Sequence, residues 1–221
     1  MSENSLRHQV IDELEFDPCL NAAHIGVAVS GNIVTLSGHV ESYAQKLAAE
    51  QATRRVKGVY GIAQEIEVRL PADKRLADDE IAARAIRIVG WDSTIPEGQI
   101  QVSVQRGLVT LSGKVGRYFQ RTAAEHAVHR LSGVTGVINN IEVVPAVIIT
   151  DVKKHIDTAL QRNAEVESQN INLLIEDGNV IVKGTVASWH ERDIVLTAVR
   201  SVPSVRKIED HLIMTHKVES V

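Results

Sequence analysis

Hydrophobic and polar positions alternate along three stretches of the chain, and each stretch carries a glycine in its apolar set. The stretches are NIVTLSGHV at 32–40, GLVTLSGKV at 107–115 and GNVIVKGTV at 178–186. In the first, Val34, Leu36 and Val40 share one face, because successive side chains of a strand point to opposite faces. Gly38 falls on that same face. A glycine there predicts a close backbone approach, most simply by a helix, or a bulge that bends the strand.

The three stretches belong to one repeated unit. Aligning Gly38 with Gly113 and Gly113 with Gly184 sets offsets of 75 and 71 residues. Residues 31–68 and 106–143 then share 19 identities in 38 positions, and the third copy keeps the apolar pattern. We interpret the three glycines as structural, since no reactive group accompanies them.

Helical spacing precedes and follows each of these strands. The opening helices carry apolar stripes, which are Leu6, Val10 and Leu14, then Ile81, Ala85 and Ile88, then Val152, Ile156 and Leu160. The second helices have predicted buried stripes, which are Ala44, Ala48, Ala52 and Val56, then Phe119, Ala123, Ala127 and Leu131, then Ile194, Ala198 and Val202. Ser42 with Gln45, and Ser188 with Glu191, have the spacing of a capping box at the start of a helix.

The remaining segments complete the unit. A first strand, read from HIGVAV, IQVSV and INLLI, meets the glycine-bearing strand through a short turn that predicts an antiparallel hairpin. A last strand follows the second helix, and a helical crossover favours parallel pairing. The predicted fold class is α+β: three tandem αββαβ units, each a three-stranded mixed sheet with two helices on one face. The predicted domains are 1–70, 75–145 and 149–216.

Composition narrows the functional classes. The 221 residues carry a net charge of −4 with 3% aromatic residues, which argues against a nucleic-acid partner. No apolar run is long enough for a transmembrane segment. The beginning, MSENSLRHQVIDELEF, has no apolar signal core, so we expect a cytoplasmic protein, with peripheral membrane contact allowed. The single cysteine, Cys19, excludes an internal disulfide.

Reactive chemistry is not indicated. His126 and His129 lie three residues apart on a predicted helix, but no further histidine or cysteine spacing supplies the other ligands that a metal site needs. No phosphate-binding loop, nucleophile elbow or pair of catalytic carboxylates is present. We therefore expect no catalytic residues, no metal, no cofactor and no enzymatic activity.

One polar feature recurs in all three copies. An aromatic residue at the start of the second helix precedes a basic residue by three positions, which places both on one helix face; the pairs are Tyr43 with Lys46, Tyr118 with Arg121, and Trp189 with Arg192. An aromatic ring beside a cation suits a lipid headgroup boundary, which predicts three lipid-binding sites. The alternative is local packing, with each ring covering its helix end and stacking under its own cation.

The repeated motifs resemble the BON domain family (bacterial OsmY and nodulation). The resemblance rests on GNIVTLSGHV with KGVYGI, RGLVTLSGKV with SGVTGV, and GNVIVKGTV with PSVRKI, and it covers nearly the whole chain. The third copy departs from the pattern at Lys183 and at Ser204. The resemblance implies a non-enzymatic module, usually associated with the cell envelope, that binds phospholipid surfaces or supports the envelope under osmotic stress.

Two functions follow as alternatives. The first is binding to phospholipid membrane surfaces through three weak sites, which gain affinity because they are linked. The second is a cytoplasmic scaffold for protein–protein interaction or oligomerisation. A three-stranded sheet covered on one side leaves a face and two edges available to a protein partner or a second copy of the chain. Small outward residues on that face, such as Thr35, Ser37, Thr110 and Ser112, allow such docking.

Overall fold

The computed structural model describes residues 2–145, 151–162 and 170–215. Within these ranges the predicted element order occurs three times in succession: helix, strand, strand, helix, strand. The three repeats therefore confirm the fold class that the spacing of apolar residues predicts.

The elements have the following bounds. The first repeat contains α1 (Glu3–Phe16), β1 (Ile25–Ser30), β2 (Ile33–Val40), α2 (Tyr43–Arg55) and β3 (Gly61–Val68). The second contains α3 (Asp78–Trp91), β4 (Ile100–Gln105), β5 (Leu108–Val115), α4 (Tyr118–His129) and β6 (Gly136–Val143). The third contains α5 (Val152–Gln161), β7 (Ile171–Glu176), β8 (Asn179–Val186), α6 (Trp189–Ser201) and β9 (Lys207–Met214).

Each sheet is mixed and has its glycine-bearing strand in the centre, with the orders β1-β2-β3, β4-β5-β6 and β7-β8-β9. In the first repeat β1 pairs antiparallel with β2, and Val27 faces Leu36. β2 pairs in parallel with β3, and Leu36 faces Gln64. The third repeat has the same two kinds of pairing. The predicted hairpin and parallel crossover are both confirmed.

The opening helices bury the predicted stripes with one exception. Their buried residues are Leu6, Val10 and Leu14 in α1, Ile81, Ala85 and Val89 in α3, and Val152, Ile156 and Leu160 in α5. The prediction of Ile88 was wrong, because this side chain is 36% exposed while Val89 is buried. Val89 continues the four-residue spacing set by Ile81 and Ala85, which keeps the stripe on one side of the helix.

In the predicted stripes of the second helices Ala52 and Val202 are correct, and most other positions were displaced by about one residue. The buried residues are Ala49, Ala52 and Thr53 in α2, Ala124 and Val128 in α4, and Glu191, Val195, Leu196, Val199 and Val202 in and just after α6. Phe119, predicted to be buried, is 49% exposed. Polar groups occupy part of the true stripe because they bond locally: Thr53 Oγ1 donates to the Ala49 carbonyl at 2.8 Å.

The repeated glycine meets the backbone immediately before the first strand of its own repeat and not the predicted helix. Gly38 has φ +101°, and Gly113 and Gly184 have φ +134° and +141°, a region that side-chain-bearing residues rarely adopt. A Cβ on Gly38 would overlap the carbonyl oxygen of His24, the residue just before β1. The glycine thus lets the two strands of the hairpin approach at their open end.

By Cα proximity the chain groups into two compact units. One contains Met1–Val89, Val102–Thr110 and His126–Ile138, and so joins the first repeat with two segments of the second. The other contains Gly90–Gln101, Leu111–Glu125 and Asn139–Val221. The second repeat therefore contributes segments to both units.

Candidate functional site

The predicted aromatic residues each occupy the first position of a second helix. Tyr43 begins α2, Tyr118 begins α4 and Trp189 begins α6, and all three rings are half-buried. Their places are fixed by the caps of these helices. Ser42 Oγ accepts a hydrogen bond from the Gln45 amide at 3.2 Å, and Ser188 Oγ accepts one from Glu191 at 3.1 Å, as the capping-box spacing predicts.

The reciprocal bonds of these caps reach one residue further back than the prediction. The Gln45 side-chain oxygen accepts from the Glu41 amide at 3.0 Å, and the Glu191 carboxylate accepts from the Ala187 amide at 2.6 Å. In the second repeat, which lacks the serine, Gln120 Oε1 accepts from the amides of Gly116 and Arg117 at 3.1 and 3.0 Å. All three helices therefore begin at the same repeat position.

The predicted cations bind the last strand of their own repeat. Lys46 Nζ donates to the Ile66 carbonyl at 2.7 Å, and an Arg121 terminal nitrogen donates to the Asn139 carbonyl at 3.0 Å. Arg192 makes an ion pair with Asp210, with nitrogen–oxygen distances of 2.7 and 2.8 Å. These contacts hold the second helix to the last strand and leave each cation half-buried.

Arg121 and Arg192 also contact their own aromatic ring. The Arg121 guanidinium lies 5.6 Å from the centroid of the Tyr118 ring, and the Arg192 guanidinium lies 4.9 Å from the Trp189 ring. Both distances are typical of cation–π contacts. The structure thus brings aromatic and cation together in α4 and α6, in the arrangement of the local-packing alternative.

The strand residues that bond to the second helix at this point were missed from the sequence, although a signal was present. Gln64, Asn139 and Asp210 occupy one repeat position, and each lies two residues before an apolar core residue of its strand. By strand alternation this places a polar side chain on the inner face. A polar residue at an inner position needs a hydrogen-bond partner, and the overlying helix supplies one, a backbone carbonyl for Gln64 and Asn139 and the Arg192 guanidinium for Asp210.

Two strongly exposed aromatic residues were also missed. Phe16 is 84% exposed at the end of α1, and Trp91 is 88% exposed at the end of α3. Both occupy the same repeat position, and an aspartate follows each: Asp17 and Asp92. The recurrence of an aromatic–aspartate pair at the end of the first helix was the available signal.

The aspartates close these helix ends by binding the turn that follows. Asp17 Oδ1 accepts from the Cys19 amide at 3.0 Å, and the Arg55 guanidinium lies 3.0 Å from Asp17 Oδ2. The Cys19 amide, followed by Arg55, lowers the pKa of the Asp17 carboxyl below its usual value. Bonds from the hydroxyl and amide of Thr94 likewise lower the pKa of Asp92. The aromatic residue before each aspartate is therefore held at a fixed helix end.

The histidines do not assemble a metal centre in the part of the chain that the structure describes, where no group of three or more His, Cys, Asp or Glu side chains is placed to bind a metal ion. The rings of His126 and His129 lie 5.4 Å apart on α4. His24 and His39 stack at 4.6 Å beside an open cavity of about 260 Å³ in the first repeat. Cys19 is exposed.

No helix within residues 2–145, 151–162 and 170–215 has the length and hydrophobicity needed to cross a bilayer.

The chain is similar to one known protein by sequence and aligns with several solved structures. Osmotically-inducible protein Y of Escherichia coli (strain K12) is 29% identical over 146 residues, which cover 64% of this chain and 73% of that protein. Among solved structures, CdsD, a structural protein of the type III secretion system of Chlamydia trachomatis, aligns over 97% of this chain and 94% of its own, with 13% identity and a TM-score of 0.28. The PrgH periplasmic domain aligns over 93% and 99%, with 10% identity and a TM-score of 0.24. Structural scores this low carry no argument about function.

Comparison with protein families identifies the same domain in all three copies. The BON domain matches residues 2–69, 77–145 and 149–215, which together span most of the chain. Each match contains one glycine-bearing central strand and one capped second helix. The chain belongs to the BON domain family, with three consecutive copies of the domain.

Proposed function

We propose that this protein is a non-enzymatic module that binds phospholipid membrane surfaces as part of an osmotic-stress response. The BON family and the similarity to a protein named as osmotically inducible support the stress-related part of the proposal. The observation that carries the membrane part is the exposure of Trp91, at 88%, on a fixed helix end. Single exposed apolar residues are common on protein surfaces, but tryptophan prefers the boundary between water and lipid.

The surroundings of Trp91 suit a shallow contact with a membrane. Ile88 lies one helical turn before it and is partly exposed, and Arg87, also on α3, is exposed as well. Transfer of a large apolar side chain from water into an apolar environment contributes about 1.5–3 kcal/mol. One such side chain gives weak binding, and Phe16 at the same position of the first repeat offers a second contact. The net charge of −4 supports apolar insertion over attraction to anionic lipid.

Lipid contact by the six helix-start residues stays a prediction. Lys46, Arg121 and Arg192 each make a hydrogen bond or ion pair within their own repeat. A headgroup phosphate would have to replace these partners. We therefore expect Trp91 to contact the membrane first, because its side chain is exposed without any rearrangement.

The test is co-sedimentation with phosphatidylcholine vesicles, with and without anionic lipid, at low and high salt. We expect Trp91→Ala to reduce the binding constant for the vesicles about tenfold, which corresponds to a loss of about 1.4 kcal/mol. Ile213→Ala is the matched control, because Ile213 is a large exposed apolar residue on β9. The triple variant Tyr43→Ala, Tyr118→Ala and Trp189→Ala measures the helix-start sites in the same assay.

Tryptophan fluorescence gives an independent readout. The chain has two tryptophans, so Trp189→Phe leaves Trp91 as the only reporter. A shift of its emission to shorter wavelength on vesicles would support insertion. If neither vesicle composition binds the native chain and the emission does not move, the membrane proposal is wrong.

A second function, docking to a protein, is favoured by the outer face of the sheets. Large apolar side chains are exposed on that face in every repeat; they are Ile33, Leu108, Ile138, Leu174 and Ile213. They lie opposite the buried positions of their strands by alternation. Association would appear as a concentration-dependent mass in sedimentation without lipid, and Ile33→Ser with Leu108→Ser would abolish it.

A further inference from the structure

The aromatic residues that begin α2 and α4 contact side chains of the repeat that follows in sequence. The Tyr43 ring meets the His129 imidazole edge to face, with centroids 5.5 Å apart and planes at 84°. The Arg200 guanidinium lies over the Tyr118 ring, 5.8 Å from its centroid. Chain connectivity does not impose either contact, because the partners are far apart in sequence.

Both contacts use the same two positions of the repeat. The offsets that align the glycines also align Tyr43 with Tyr118, and His129 with Arg200. The first position opens the second helix, and the second position lies in the last turn of that helix one repeat later. The same pairing of repeat positions therefore occurs twice, with the tyrosine ring contacting a His imidazole in one case and an Arg guanidinium in the other.

We propose that the residue opening the second helix is a docking ring, and that the side chain in the last turn of the next repeat's second helix is its receptor. An aromatic ring receives a second ring edge to face, or a cation over its face, so either receptor suits the same site. The partner that this surface fits is another BON repeat with His or Arg at the receptor position. The contact is heterologous, since the two sides use different surfaces.

The other repeats carry the matching residues at these positions. The receptor position of the first repeat is Arg54, which makes an ion pair with Glu50 at 2.5 Å. The ring position of the third repeat is Trp189. Every repeat thus has one aromatic docking ring and one receptor, which is either His or Arg. Docking between repeats requires both members of this set, whereas lipid binding does not require the receptor.

The test is native-state hydrogen exchange on the full chain, read at amides in the last turn of α6. We expect Tyr118→Ala to accelerate exchange there about 3- to 10-fold, as loss of a partly buried cation–π contact predicts. Arg200→Ala should produce the same acceleration. The double variant should exchange no faster than Arg200→Ala alone, because both changes remove one contact. Tyr118→Phe is the matched control and should exchange at the native rate.

The first pair gives a second, independent measurement. Tyr43→Ala should accelerate hydrogen exchange in the last turn of α4. In a chain that already carries His129→Ala, the same substitution should cause no further acceleration. If Tyr43→Ala or Tyr118→Ala fails to fold, exchange is measured in the receptor variants instead. His129→Ala should then accelerate exchange in the first turn of α2, and Arg200→Ala in the first turn of α4. Effects that multiply in the double variants, or acceleration confined to the tyrosine's own helix, would overturn the proposal.

Discussion

Replacing Gly38 by alanine is expected to disrupt the open end of the β1–β2 hairpin. The residue has φ +101°, and a Cβ would overlap the His24 carbonyl oxygen, with the carbonyl carbon at 3.2 Å and the Ile25 Cα at 3.6 Å. Two separate costs follow. An L-residue held in a sparsely populated backbone region costs about 1–3 kcal/mol, and overpacking against a fixed neighbour costs about 1–3 kcal/mol more.

The sum, about 2–6 kcal/mol, is large for one repeat. A domain of this size has a free energy of unfolding of about 3–10 kcal/mol. We therefore expect Gly38→Ala to unfold the first repeat at a much lower urea concentration than the native chain. The assay is urea denaturation followed by far-ultraviolet circular dichroism. The slope of the free energy of unfolding against urea concentration should be the same for the variant and the native chain.

Substitutions of two other glycines separate the cost of the backbone conformation from the cost of overpacking. Gly31 has φ +60° with nothing within 4 Å of a Cβ, so Gly31→Ala should cost only the backbone part, about 1 kcal/mol. Gly90 lies in α3 with open space around a Cβ, so Gly90→Ala should stabilise by about 0.5–1 kcal/mol. If Gly38→Ala costs no more than Gly31→Ala, the argument from the carbonyl overlap is wrong.

Two further substitutions test the helix ends and the helix–strand contacts. Asp17→Asn should lower the free energy of unfolding by less than about 1 kcal/mol at neutral pH. The Cys19 amide and Arg55 lower the pKa of Asp17 in the folded state, so its stabilisation is complete above the ordinary value of 3.8 and is lost as the pH falls below it; urea midpoints of the two chains that stay equally far apart down to pH 2 would contradict this. Asp210→Ala should cost about 2 kcal/mol, because it leaves the half-buried Arg192 without its carboxylate. Asp210→Asn, which introduces the amide that the second repeat has at this position, should cost clearly less in the same thermal or urea unfolding measurement.

The strands and opening helices could be predicted because their apolar residues are large and regularly spaced. Val34 and Leu36 alternate with polar residues, and Leu6, Val10 and Leu14 leave one choice of helix face. The second helices offered less. In α2 most apolar positions are alanines, which occur on several sides of the helix, so the apolar pattern fits more than one stripe. Thr53, a polar residue, lies on the buried stripe of α2, and its polarity made the incorrect all-apolar stripe fit the sequence pattern better.

The candidate sites show a different limit of the sequence. The recurrence of Tyr43 and Tyr118 at one repeat position was visible in the sequence. Their contacts with His129 and Arg200 were not visible, because no local pattern links residues of different repeats. Periodicity alone does not show whether Trp91 is exposed or buried, since an aromatic residue at a helix end is compatible with either.

The central position of the glycine-bearing strand has a consequence for how the chain reaches its native state. β2 and β5 have nearly the same sequence and satisfy the same backbone requirement, so β5 can form a hairpin with β1 during folding. Misassembly between similar neighbours is a characteristic failure of repeat proteins, and it competes most when all copies are released at once from denaturant. Synthesis from the amino terminus avoids the competition, because β1, β2 and β3 are complete before β5 exists. The divergence of the third copy, with Lys183 before its glycine, further reduces the number of interchangeable strands. Refolding yield should therefore fall below the yield of folding during translation, and this difference should shrink when the first two copies are made less alike.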